Sequence, residues 1–353
     1  MGRDLLVARL DNVGDVLLAG PAVRAAAASG RRVHLLCGPR GRGGADLLPQ
    51  LASVIERAVP WIEPLPMPVR RTDAELLVDE VRERGIAEAA ILVSSHQSPL
   101  PLALLLRWAG VERIAAVSRD HAGSLLDHRI PGDPDVHEVV RGLLVTDALG
   151  IPRPPDDRLQ VNLAGAGDVS PPPIPYLVVH PGASVPARTM SPQQWRSAVG
   201  ALAAAGWTIA VTGSPEEARL TAQVAGDDPN VLDLGGRTTL RQLGRLLATA
   251  TAFVGGNTGP MHLAAAVGTP VVTVFAPTVP VDRWRPWRVP HVVLGDHTVP
   301  CAGCRSRECP LERQECLAGV RPEEIVAAVG RLAGGVGVPS VRRAQPVPVT
   351  GAD

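Results

Sequence analysis

The chain contains no lysine, so all 35 of its fixed positive charges are arginine. Walker-type phosphate loops and Schiff-base chemistry both need a lysine amine and are excluded. Aromatic residues are scarce apart from tryptophan, with two Phe and one Tyr against six Trp. Net charge is absent as well, because 35 acidic residues cancel the arginines, and a chain without a basic excess is poorly suited to nucleic acid. No apolar run suits a membrane span. Residues 246–281 carry no Asp, Glu, Lys or Arg, but Pro260, Pro270, Pro277 and Pro280 interrupt them. Asn257, Thr258 and His262 would also be costly in lipid, so the stretch reads as a buried strand–helix–strand. The opening Met1-Gly2-Arg3-Asp4 leads into an apolar run too short for a secretory signal, and Leu6 departs from the acylation pattern. The expected location is cytoplasmic, with peripheral membrane contact left open.

The length of 353 residues suggests two domains at roughly 150 residues each, and 45% hydrophobic content is enough to fill two cores. Asp4–Leu10 is an apolar strand candidate followed by a polar turn and a helical pattern over Asp15–Ala28. Further strand-like runs fall at Val33–Cys37, Ala89–Ser94 and Arg113–Val117, separated by helical patterns at Ala45–Leu51, Asp73–Arg84, Leu100–Trp108 and Val136–Leu149. Alternation of this kind predicts a parallel sheet covered on both faces. Residues 164–175 lose periodicity and gather Gly, Ser and Pro, as a linker does. The rhythm restarts with strands at Tyr176–Val179, Trp207–Thr212, Val231–Leu234, Ala252–Val254 and Val271–Phe275 and helices between them, the last over Pro322–Leu332. The expected organisation is residues 1–163 and 176–332 as two doubly wound α/β domains facing a cleft, with 333–353 a disordered tail.

Several strand-to-helix turns carry polar residues. Gly14-Asp15 follows the first strand, where Asp15 is either a helix cap or a base facing the cleft. Asn257-Thr258-Gly259-Pro260-Met261-His262 follows the strand at 252–254 and opens a helix whose free N–H groups would attract phosphate. Gly213-Ser214-Pro215-Glu216-Glu217 is a second such turn, with a carboxylate able to hold ribose hydroxyls. Pro181-Gly182-Ala183-Ser184 is a third, and Arg188 beyond it is either a solvated loop residue or a guanidinium fork for a diphosphate. His180 reads as a strand-end histidine. Cys301, Cys304, Cys309 and Cys316 are spaced C-x2-C-x4-C-x6-C. They suit either a structural zinc or iron ion or four reduced thiols packing a loop. Cys37 reads as a core residue.

These turns, in this order, resemble glycosyltransferase family 9, the bacterial ADP-heptose heptosyltransferases, to about Leu332. The resemblance implies a GT-B fold of two Rossmann-like domains, the first binding acceptor and the second the nucleotide sugar. It implies inverting transfer of a heptose from an ADP-sugar without a catalytic metal, and Asp15 as the general base. It further implies that Arg188 steadies the diphosphate where the family usually has lysine, that Ser184, Gly213 and Glu217 serve the donor, and that Asn257, Thr258, Gly259 and His262 hold its diphosphate end. Asn257 departs from the family's usual Asp. Ser95, His96 and Arg119 match the acceptor side less well, which leaves the acceptor as a glycan, a glycolipid or a small molecule. A nucleotide-sugar epimerase of the same architecture and a non-catalytic sugar-nucleotide-binding protein are the alternative functions.

Overall fold

The structure, a computed structural model, describes residues 3–63, 67–94, 96–132 and 135–334. Ser95 and, from residue 335 onward, the expected tail lie outside the described residues. Six strands, β1 (Asp4–Ala8), β2 (Arg32–Cys37), β3 (Ser53–Glu56), β4 (Ile86–Ile91), β5 (Arg113–Ser118) and β6 (His128–Pro131), form one sheet in the order β3-β2-β1-β4-β5-β6. Six more, β7 (Tyr176–His180), β8 (Thr208–Val211), β9 (Val231–Asp233), β10 (Ala252–Gly256), β11 (Val271–Val274) and β12 (His291–Leu294), form the second in the order β12-β11-β10-β7-β8-β9. Every pairing is parallel.

The central strands are continuous buried runs because helices cover both sheet faces. In each sheet the strand order reverses once, at β1/β4 and at β7/β10. Such reversals splay the following loops apart and open a crevice beyond the carboxyl ends of the strands. Both crevices face the boundary between the lobes, since the loops after β1 and β10 meet there. The helix Val13–Leu18 packs against the helix Gly259–Ala266. Val16 and Leu17 from the first half share one buried cluster with Met261 and Leu263 from the second.

Local departures from the sequence pattern have local causes. The helix expected over Asp15–Ala28 is two, Val13–Leu18 and Gly20–Ala28, parted at Ala19, with Pro21 in the first turn of the second, where its missing N–H leaves no bond unmade. At Ala45–Leu51 there is instead a single turn, Arg42–Ala45, and Leu47 and Leu48 reach the core from an irregular segment. Residues 149–175 form no helix or strand but are pinned to both lobes. Asn162 N donates to Leu47 O at 2.7 Å, and Arg241 Nη1 and Nη2 donate to Asn162 O at 2.5 Å and Asp46 O at 2.7 Å.

Candidate active site

Arg9 ends the apolar run of β1, and its side chain is 4% exposed. A guanidinium in that position has to find anions, and three carboxylates surround it. Nη2 donates to Asp15 Oδ1 at 2.8 Å, Nη1 to Glu138 Oε2 at 3.0 Å, and Nε lies 3.1 Å from Asp11 Oδ2. Ser94 at the end of the β4 segment donates to Asp11 Oδ2 at 3.2 Å and accepts from Arg9 Nη2 at 3.1 Å, while Gln97 Nε2 donates to Asp11 Oδ1 at 2.7 Å. The loops of the β1/β4 reversal are thereby bound into one buried polar network.

The three carboxylates around Arg9 diverge in acidity. Burial raises the pKa of Asp11 and of Glu138 against the pull of Arg9. At Asp15 burial acts in the same direction, but the charge and hydrogen bond of Arg9, with His262 and Arg188 beyond, outweigh it and hold the group below the usual carboxylate range. Of the three, Asp15 is the carboxylate whose charged form its surroundings favour most. Its side chain remains 19% exposed. Asp15 sits in the first turn of its helix without capping it, since the N-cap is Asn12 and no side chain makes the cap bond.

The opposite wall comes from the β7/β10 reversal. Thr258 is the N-cap of Gly259–Ala266 with no side-chain cap bond, and its Oγ1 is buried without a hydrogen-bond partner. His262 Nδ1 and Arg188 Nε are also buried, and among the described residues they too have no partner. Burial lowers the His262 pKa to about 4, against Asp15 and with Arg188 and Arg9, so the ring is neutral. Burial likewise lowers that of Arg188, while Asp15 raises it. The Arg188 loop reaches this position because Gly256 has no side chain: a Cβ there would stand 2.8 Å from Arg188 O. Asn257 is buried at the end of β10.

Glu217 and Ser214 form a capping box, with Ser214 N donating to Glu217 Oε2 at 2.8 Å. The carboxylate presses on Gly182, where a Cβ would collide at 2.1 Å from Oε1, and lies 3.7 Å from His180 Nε2. Gly213 packs against Thr221 and Glu217. Ser184 is exposed in the loop after β7. His96 is exposed at the rim, where burial lowers its pKa with Asp11, Arg305 and Asp15 in electrostatic reach. Arg119 is exposed just beyond β5, on the same sheet edge.

For the cysteine loop the sequence left open a metal ion or four packed thiols. Cys301 and Cys304 are exposed, and among the described residues no three His, Cys, Asp or Glu side chains are arranged to hold a metal ion. The thiols still sense one another, since burial and then Cys301, Cys309 and Cys304 raise the pKa of Cys316. The loop is fastened beside the Arg188 turn by Ala187 N donating to Arg307 O at 3.0 Å and Gln314 Nε2 to Ala187 O at 2.7 Å.

Arg9, Asp11, Ser94, Gln97, Glu138 and Trp284 are side chains at the site that the sequence reading did not single out. Trp284 reaches across from the second lobe and donates Nε1–H to Asp15 Oδ1 at 3.4 Å. An arginine closing a buried strand just ahead of two aspartates was the one available signal.

The family model described as glycosyltransferase family 9 (heptosyltransferase) matches residues 90–314. The chain belongs to glycosyltransferase family 9. Among curated relatives of this family member, lipopolysaccharide heptosyltransferase 3 of Escherichia coli is 29% identical over 186 residues, covering 50% of each chain. The match thus spans half the length of that relative. Lipopolysaccharide heptosyltransferase 1 of Pseudomonas aeruginosa is 30% identical over 249 residues, covering 66% of this chain and 68% of the relative. The solved E. coli ADP-heptose lps heptosyltransferase II superimposes with a TM-score of 0.72 at 18% identity, over 94% of this chain and 99% of that one. The family 9 chain therefore has the two-lobed GT-B architecture. No helix among its described residues is long and apolar enough to cross a membrane.

Proposed function

We propose that this family 9 protein is an inverting glycosyltransferase that moves a sugar, heptose by analogy with its relatives, from an ADP-sugar to an acceptor hydroxyl. One observation carries the proposal: the ionised carboxylate of Asp15 on one lobe faces three buried, unpaired polar atoms of the other, Arg188 Nε, Thr258 Oγ1 and His262 Nδ1. Buried polar atoms left unpaired cost about 1–3 kcal/mol each, and a diphosphate would satisfy them. The helix N-terminus at Gly259 adds roughly half a positive charge. Gly213, Glu217 and Ser184 line the neighbouring turns, where Glu217 Oε2 holds Ser214 N and, among the described residues, no donor is bonded to Oε1, the oxygen offered to a ribose hydroxyl. Asn257 closes β10 beside them, and the acceptor side falls to the first lobe, with His96 and Arg119 at its edge.

In the reaction the acceptor oxygen attacks the anomeric carbon on the face opposite the diphosphate, and Asp15 takes the hydroxyl proton as the new C–O bond forms. The anomeric bond to the diphosphate breaks and ADP leaves with the electron pair. A single displacement inverts the configuration. The charge growing on ADP is met by Arg188 and the helix N-terminus, so this reading calls on no metal ion.

The test is to incubate the protein with ADP-, GDP-, UDP- and TDP-sugars, with and without candidate acceptors, and to follow free nucleotide and the anomeric configuration of the product by NMR. Acceptor-dependent release of ADP with inversion is expected. Isomerised donor without acceptor would instead identify an epimerase.

A further inference from the structure

Trp284 lies on the crossover between β11 and β12, in the Pro-rich segment Pro280-Val281-Asp282-Arg283-Trp284-Arg285-Pro286-Trp287-Arg288-Val289-Pro290. Although this segment belongs to the second sheet, its side chains are fastened to the first half of the chain. Arg283 Nε donates to Asp135 Oδ1 at 3.3 Å, and the Arg285 carbonyl accepts from His137 Nε2 at 2.9 Å. The Trp287 ring stacks on His137 at 4.2 Å, and its Nε1 donates to Asp157 O at 2.8 Å. Arg288, held at φ 56° in the left-handed region, grips both oxygens of Asp157 at 2.9 and 3.1 Å. A bulky residue keeps that conformation only where its surroundings fix it, and the prolines limit what else the segment can do.

The result at the site is that both hydrogen bonds to Asp15 fall on one oxygen. Arg9 Nη2 and Trp284 Nε1 each donate to Oδ1, at 2.8 and 3.4 Å, and among the described residues none donates to Oδ2. We propose that Trp284 is a positioning residue: contributed by the second lobe, its indole N–H joins Arg9 on Oδ1 and so orients Oδ2 as the oxygen that receives the acceptor's proton. Orientation of the base is thereby tied to the juxtaposition of the lobes, through the 280–290 strap. This rests on the reading of Asp15 as the base.

Trp284→Phe keeps the ring and removes the donor. It is expected to lower kcat roughly three- to tenfold while the donor KM moves less than twofold. The acid limb of the pH profile should rise, because the carboxylate loses a bond that favours its charged form; Arg9, His262 and Arg188, and on the opposing side Asp11 and Glu138, with His96 at the rim, still face it. Arg288→Ala, which loosens the strap at an exposed anchor far from substrate, is expected to lower kcat with the same upward shift. In the double variant the two losses should be less than additive. A Trp284→Phe enzyme with kcat within twofold of the native value and an unmoved acid limb would overturn the inference. If that variant does not fold, an Arg288→Ala enzyme unchanged in both respects does the same. Asp15→Asn in the same assay separates the two levels. If it is active the base reading is wrong, whereas an inactive Asp15→Asn beside an unaffected Trp284→Phe removes only the role of Trp284.

Discussion

Gly14 and His262 meet across the lobe boundary so closely that a Cβ on residue 14 would stand 2.8 Å from His262 Cδ2 and 3.3 Å from Gly259 Cα. In an isolated helix Gly→Ala stabilises by about 0.5–1 kcal/mol. Here the methyl group meets a buried ring and a backbone, so the lobes must move apart. Gly14→Ala is expected to lower kcat by roughly tenfold or more while the melting temperature changes by only a few degrees, as steady-state kinetics beside calorimetry would establish. Native turnover in this variant would show that the contact does not set the cleft.

The cost of removing Arg9 follows from its burial among Asp11, Asp15 and Glu138. Breaking a buried ion pair by deleting one partner costs about 3–5 kcal/mol. Arg9→Met should lose stability on that scale in urea unfolding. Adding Glu138→Met should restore part of it, because fewer buried charges then lack a counterion. Equal losses in the single and double variants would contradict the pairing.

His137 makes stability depend on pH. Its Nδ1 accepts from Val139 N, a bond that only the neutral ring can make, while its Nε2 donates to Arg285 O in either protonation state. Burial chiefly, opposed by the Arg285 bond, lowers its pKa to about 3. Between pH 6.5 and about 3 only the unfolded chain takes up this proton. The contribution is therefore fully present above pH 6.5 and is lost as the pH falls, at roughly 1.4 kcal/mol per pH unit. His137→Phe should be less stable than the native protein at pH 7, with the gap closing on acidification. Parallel stability curves for the two proteins would rule this out.

Arg188 is predicted to act on the diphosphate. Arg188→Ala should weaken ADP binding by roughly 10- to 100-fold in titration calorimetry, the range expected for a hydrogen bond to a charged group. Arg188→Lys should recover the charge without the fork and fall between them. Unchanged ADP affinity in Arg188→Ala would remove it from the donor site.

The central strands could be read from sequence because strands buried on both faces are plain apolar runs, as in Leu177–Val179 and Val271–Val272. Of the edge strands, β9 could be read, as Val231–Leu234, whereas β3, β6 and β12 could not. Ser53–Glu56, His128–Pro131 and His291–Leu294 are largely half-exposed and pair on one side only, so their composition does not separate them from loops. The same division holds at the site. Asp15, Thr258 and His262 stand on strand-to-helix turns whose glycines mark them. Glu138 and Trp284 reach the site from 129 residues away from Arg9 and 269 residues away from Asp15, and no local pattern encodes such a distance. The capping alternative for Asp15 could be judged only once Arg9 was seen to hold its carboxylate.

The decisive measurement is donor binding and turnover of Asp15→Asn, taken side by side on the same preparation. Native affinity for the ADP-sugar with transfer reduced by a factor of about 10² or more is the predicted result; transfer within a few-fold of the native rate would contradict the account.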